Sequence, residues 1–207
     1  MITSNTSHYF TPQKPLGEYG ETRTFSWNER EFAFVSGSGV FAKTGLDAGS
    51  RLLLQTALPH LATLPPGAVI SDLGCGWGAV GCVLGAALPE HRILMSDVNP
   101  RAVALARHNA DLNHVSHTHA WCGDGLAAIP PATFDAILCN PPIRAGNEVM
   151  GKLFDDSLHR LKKGGALYLV IRTAQGAKSW QRRLKVLFGN CEMLSIKSGY
   201  RILLCTR

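Results

Sequence analysis

The chain has no apolar run approaching the roughly 18 residues that a membrane-spanning helix needs. Its first ten residues, Met1 to Phe10, are polar where a secretory segment would be hydrophobic. A soluble, cytoplasmic protein with no membrane partner is the expectation. Six cysteines, at 75, 82, 122, 139, 191 and 205, include no C-x-x-C pair, and most fall in or beside strand-like or helix-like runs. They read as buried thiols, not as a redox or metal centre. His114, His117 and His119 stand close together but lack a carboxylate or thiol at matching spacing, so no metal is expected there either. Acid is scarce at one end: beyond residue 158, eleven Lys and Arg face Glu192 alone. That segment carries +10 and leaves −4 for the rest of a chain whose formal total is +6. Concentrated basic charge is the electrostatic footprint of a polyanion partner, although Lys178 to Lys185 alone also fit a solvated helix face.

What is present suits one globular unit: 207 residues, 45% hydrophobic and 17% charged. An arm opens the chain. Two aromatic and β-branched runs, 23–27 and 31–35, flank a polar turn and predict a β-hairpin. Asp47 is placed to cap a helix over 48–61, closed by Pro65-Pro66-Gly67. These parts form a segment, 1–66, packed on a main domain, 67–207. In the main domain, strand-like runs at 68–73, 92–96, 117–122, 134–139 and 165–171 alternate with helical stretches at 78–88, 99–112 and 145–162. Alternation of this kind means β-α-β units in a mostly parallel sheet with helices on both faces. A helix over 176–188 then leads to strands 191–196 and 200–205. The tight turn Lys197-Ser198-Gly199 makes those two antiparallel.

The first strand of the main domain runs into Asp72-Leu73-Gly74-Cys75-Gly76-Trp77-Gly78-Ala79. Glycines at a strand-to-helix turn let the backbone pass close under a ligand. The run also satisfies G-x-G-x-x-A, so a nicotinamide enzyme has to be weighed. Against it, Asp72 would repel a pyrophosphate but accept hydrogen bonds from an ammonium group, and the chain adds no separate substrate domain. Asp97 closes the second strand, where a carboxylate can accept both hydroxyls of a ribose. Gly123-Asp124-Gly125 closes the third, with an acid able to accept from an exocyclic adenine amine. Either acid singly could be only a cap. Three acids and a glycine turn at one edge of a sheet fit a nucleoside pocket better.

Asn140-Pro141-Pro142-Ile143 follows the apolar run 134–139. The two proline rings fix φ, push the residues before them toward extended geometry and remove two N–H donors. What remains is a rigid edge of acceptors. The Asn140 side-chain oxygen and the Pro141 carbonyl suit the two hydrogens of a planar –NH2 group.

Taken together, Asp72 to Gly78, Asp97, Asp124 and Asn140-Pro141-Pro142 resemble the class I S-adenosylmethionine-dependent methyltransferases of the small-domain group. That group includes bacterial ribosomal RNA guanine-N2 methyltransferases and short single-domain relatives. The likeness extends to Gly39-Val40-Phe41-Ala42-Lys43, to Leu46–Leu53 and to Asn140–Gly146, and covers nearly the whole chain. It implies a Rossmann-like seven-stranded sheet, mostly parallel with one antiparallel strand, carrying an N-terminal hairpin extension. It implies S-adenosylmethionine as cofactor. Asp72, Gly74, Cys75, Gly76 and Gly78 would border its methionine part, Asp97 its ribose and Asp124 with Gly125 its adenine, with Phe41 and Asn140 near the pocket.

The catalytic expectation falls on Asn140 and Pro141: two acceptors orient the amine's lone pair toward the donated methyl and stabilise charge developing on nitrogen. Pro142, Ile143 and Arg144 would meet the substrate. Many amine methyltransferases carry an aromatic residue where Ile143 stands, so apolar contact replaces ring stacking and Arg144 is left to stack or to meet a phosphate. The expected partner is RNA, ribosomal RNA above all, methylated at guanine N2. Other readings are the same chemistry on an adenine amine or a protein glutamine amide, and an RNA-binding or assembly protein without turnover. Oligomeric state is left open.

Overall fold

The computed structural model of the protein describes residues 20–36 and 45–207. The N-terminal arm, Phe41 and the rest of Gly39–Lys43 lie outside them. A hairpin comes first: β1 (Thr22–Trp27) pairs antiparallel with β2 (Arg30–Val35). Its turn places Asn28 at φ 50°, a conformation asparagine tolerates better than most residues. Helix α1 (Ala48–Leu61) starts where Asp47 Oδ1 accepts from the backbone N–H groups of Gly49 and Ser50.

After α1 the chain runs β3 (Val69–Leu73), α2 (Ala79–Ala87), β4 (Arg92–Asp97), α3 (Pro100–Leu112), β5 (Thr118–Cys122), β6 (Phe134–Cys139), α4 (Asn147–Arg160), β7 (Leu161–Arg172), α5 (Ala177–Phe188), β8 (Glu192–Lys197) and β9 (Tyr200–Thr206). Seven strands form one sheet in the order β5-β4-β3-β6-β7-β9-β8. Only β9 runs against its neighbours. The reversed strand agrees with the expected antiparallel pair, and Lys197↔Tyr200 closes its turn.

Alternate residues of the central strands point to opposite faces. One face carries Ile70, Leu138, Val170 and Ile202 against α1, α2 and α3, and the other carries Leu73, Ile137, Leu169 and Leu203 against α4 and α5. Helix α2 is buried over its first seven residues, which explains a composition with no charged side chain.

The hairpin is latched to α3 by two asparagine side chains acting as a substitute strand edge. Asn109 Oδ1 accepts from the Val35 N–H at 2.8 Å while its Nδ2 donates to the Val35 carbonyl at 3.1 Å. Asn113 does the same for Ala33, at 3.0 and 2.6 Å. Phe34 then stacks edge-on against Trp77 at 4.6 Å, tying the hairpin to the glycine turn.

One expected boundary differs. The helical stretch 145–162 divides into a 3₁₀ turn, Ile143–Ala145, and α4, which ends at Arg160. Leu161 is fully buried and pairs with Phe134, so β7 begins there, and the ladder slips between Phe134 and Ala136 before regular pairing resumes at Ala166.

Candidate active site

The chain leaves β3 for β4 and β5 in one direction, then returns to place β6 on the other side of β3. A crevice opens at such a switch point, beyond the carboxyl ends of the strands. Leu73 pairs with Cys139 on one side and Ser96 on the other, and Asp97 pairs with Cys122. Asn140, Gly74, Asp97 and Gly123 therefore form one continuous edge. Four of the expected segments meet here because of strand order, not sequence distance.

Gly74 and Gly76 hold φ at 74° and 55°, in the left-handed region, and a Cβ added to either would point into open space. They supply backbone that a ligand can approach. Gly78, also at positive φ, serves packing instead. A Cβ there would sit 2.9 Å from the Cα and Cβ of Ala106, so its absence lets α2 and α3 close together. Cys75 is buried, and burial raises its thiol well above the ordinary value, so it is neutral at the turn.

Asp72 is buried, with Oδ2 accepting from the Gly81 N–H at 2.8 Å. Burial, reinforced by the Asp97 carboxylate and opposed by the Gly81 hydrogen bond, pushes its pKa up to about 7. Its Oδ1 makes no hydrogen bond among the described residues. A carboxyl so placed gains from a cationic ligand. Asp97 tethers the turn, Oδ2 accepting from Gly76 N–H and Oδ1 from Asn99 N–H, both at 2.9 Å. Asn99, not Asp97, caps α3, accepting from the Arg101 N–H. Each Asp97 oxygen keeps a lone pair for a diol. Asp124 is exposed and ion-paired with Lys152 of α4, so a group approaching it must share or displace that lysine. Gly125 holds φ at 62° beside Leu153.

Just after β6, the Asn140 amide is oriented by the start of α1. Its Nδ2 donates to Ser50 Oγ at 3.0 Å and to Asp47 Oδ2 at 3.4 Å. Because a carboxylate only accepts, turning the amide over would lose the Asp47 bond and set Oδ1 against that carboxylate, so Nδ2 stays on this side and Oδ1 is left as an acceptor. Pro142, at φ −75° and ψ 77°, is the centre of an inverse γ-turn in which the Pro141 carbonyl accepts from the Ile143 N–H at 2.9 Å. One lone pair of that carbonyl is thus engaged and one is open. Pro141 is buried, Pro142 and Arg144 are exposed and Ile143 is half-buried. Ser50 and the second role of Asp47 had no signature in the sequence, since neither is near residue 140 in the chain. Asp47 carried only its helix-cap signal.

A turn of open glycines, a buried carboxyl suited to a cation, a diol-competent acid and an amide acceptor share one crevice. Residues 31–204 match the methyltransferase small domain family. The chain belongs to that family. As a small-domain methyltransferase it uses S-adenosylmethionine, as the resemblance implied, and the nicotinamide alternative falls away. The open backbone at Gly74 and Gly76 and the buried Asp72 carboxyl, only one oxygen of which is hydrogen-bonded among the described residues, fit a cofactor carrying positive charge.

The enzyme is 36% identical to the uncharacterized protein YbxB of Bacillus subtilis over 198 residues, 95% of this chain and 96% of that one. It is 33% identical to the ribosomal RNA large subunit methyltransferase G of Klebsiella pneumoniae over 194 residues, 89% of this chain and 50% of that protein. Among solved structures, the 16S rRNA N2 guanine methyltransferase RsmC of T. thermophilus, in complex with AdoMet and guanosine, superposes with a TM-score of 0.81 at 24% identity, over 94% of this chain and 52% of that chain. The chain spans about half the length of these two ribosomal RNA enzymes. No described helix is long and apolar enough to cross a membrane.

Proposed function

We propose that this methyltransferase modifies an exocyclic amine of RNA, with guanine N2 of ribosomal RNA as its acceptor, in the cytoplasm. The observation that carries the reading is the fixed Asn140 amide, whose donor end is held by Ser50 and Asp47 while Oδ1 is left open beside the glycine turn. Support for the acceptor class comes from the relatives: one is named for ribosomal RNA methylation, and another is titled for guanine N2 with guanosine bound.

S-adenosylmethionine supplies an activated methyl group, so no enzyme nucleophile is needed. Asp72, Gly74 and Gly76 are the residues to hold its methionine part, Asp97 its ribose and Asp124 its adenine. Cys75, Gly78 and Gly125 shape that pocket. Asn140 Oδ1 and the open lone pair of the Pro141 carbonyl each accept one hydrogen of the substrate amine. Held so, the nitrogen lone pair is turned out of conjugation with the ring, and positive charge forming on nitrogen meets two acceptors already in place. The extra proton then leaves to water. Pro142 and Ile143 pack on the substrate's apolar surface, and Arg144 adds a guanidinium at its rim.

The test is methyl transfer from labelled S-adenosylmethionine to RNA from a strain lacking the gene, followed by mass spectrometry of the nucleosides. Methylated guanosine at N2 is expected with the unaltered enzyme, and about 10²–10³-fold less with Asn140→Ala. Methylated adenosine, or label in protein glutamine, would replace the acceptor while keeping the clamp. Full turnover by Asn140→Ala would refute the clamp itself.

A further inference from the structure

The basic surplus beyond residue 158 is not one surface. Part of it, Lys178, Arg182, Arg183 and Lys185, stands on α5, and part lies at the amino edge of the sheet, away from the crevice, where three residues are already engaged. Lys162 pairs with Asp135, Arg160 donates to the carbonyls of Ala127 and Ile129, and Arg207 donates to those of His159 and Leu161. At the carboxyl edge the arrangement differs. Arg172 ends β7, Tyr200 starts β9 and Lys197 ends β8, and the register sets Arg172 opposite Tyr200 and Tyr200 opposite Lys197. Directly opposed residues share a face, so the three form one row across three strands.

The row is joined to the clamp. The Arg172 guanidinium lies over the Tyr200 ring, 4.7 Å from its centroid, a contact that holds the cation in place without neutralising it. The Tyr200 ring packs on the first turn of α1 so closely that a Cβ on Gly49 would come within 2.8 Å of it. The next residue, Ser50, holds Asn140. Arg172 and Lys197 are exposed and make no ion pair among the described residues. Asp47, the acid at this end of α1, has its oxygens turned to the Gly49 and Ser50 amides and to Asn140.

We propose that Arg172, Tyr200 and Lys197 form a docking row for the phosphodiester backbone of RNA next to the target base. The proposal rests on the RNA reading above. A base presented to a recessed clamp must leave its stack, and the phosphates beside it then need fixed cations. Arg172 offers a planar fork and Lys197 a point charge. Tyr200 sets the Arg172 fork and, through its packing on α1, the distance from the phosphate contacts to Asn140.

Binding of a fluorescein-labelled RNA hairpin with a guanine in its loop, measured by anisotropy across a salt series, tests this. Relative to the unaltered enzyme, Arg172→Ala with Lys197→Ala should weaken binding about tenfold near physiological salt and lower the slope of log Kd against log salt by roughly 1 to 2. Lys163→Ala with Lys185→Ala removes as much charge away from the row and should leave the slope unchanged, and S-adenosylhomocysteine should bind all variants equally. If the control pair lowers the slope as much as the row pair does, or the row pair has no effect while the unaltered enzyme binds RNA, the row is refuted and the RNA reading survives. If the unaltered enzyme shows no salt-dependent RNA binding, the RNA reading falls and the row with it.

Discussion

In the proposed mechanism Asn140 acts through the end of its amide that is left open, so the residues that hold the other end would control the reaction without touching substrate. Asn140→Ala should reduce methyl transfer by about 10²–10³-fold, the scale of losing one preorganised polar group, with S-adenosylhomocysteine affinity retained in a binding titration. Ser50→Ala should lower kcat by roughly tenfold and leave the cofactor KM unchanged, since it loosens orientation only. Ser50→Thr, which keeps the hydroxyl, should recover most of the loss. Asp72 makes a separate prediction about pH. Its pKa of about 7 lies above the ordinary 3.8, so the folded, cofactor-free protein binds a proton there that the unfolded chain has released. That contribution to stability is full below about pH 4 and is lost as pH rises through about 7. A cationic ligand favours the ionised form, so affinity for the cofactor should rise between about pH 6 and 8 and then level off. Asp72→Asn should bind weakly at every pH with no such slope, and a sloped profile in that variant, measured by calorimetry, would exclude Asp72 as the group responsible. Asp72, Asp97 and Asn140 were legible in the sequence because acids and a double proline at strand ends are rare enough to stand out. Ser50 was not, because a serine one turn into a helix looks the same whether or not it meets a residue ninety positions away.

At the scale of elements, the hairpin depends on α3. Asn109 and Asn113 satisfy the backbone groups of Val35 and Ala33, and Asn109 also donates to the Trp77 carbonyl at 2.8 Å. Asn109→Ala leaves buried donors and acceptors unmet and should cost about 2–4 kcal/mol, visible as a lower midpoint in urea. Amide exchange in Arg30–Val35 should accelerate with it. Most strand and helix positions followed from alternating periods and from Pro and Gly punctuation. The start of β7 did not. Leu158 and Leu161 continue a helical spacing, and only pairing with Phe134 takes Leu161 into the sheet. The hairpin itself was readable from its aromatic runs, yet its latch was not, since asparagines inside a helix usually signal nothing beyond low propensity.

For the whole molecule, the strand order sets β3 beside β6 and thus the glycine turn beside Asn140. Ligand linkage should report that crevice as one unit: S-adenosylhomocysteine at about a hundredfold excess over its Kd should stabilise the fold by about 2.7 kcal/mol, seen as a raised Tm, while NAD should leave Tm unchanged. The sequence by itself determined the α/β class, the antiparallel pair at its end and the residue types at the strand ends. These depend on local periodicity and on short-range rules for turns and caps. Tertiary structure alone decided three things: that Gly78 serves packing while Gly74 and Gly76 leave space, that Asp47 and Ser50 hold Asn140, and that the basic surplus divides between α5 and the two edges of the sheet. Each depends on distances between residues far apart in the chain, and a linear pattern carries no measure of those distances.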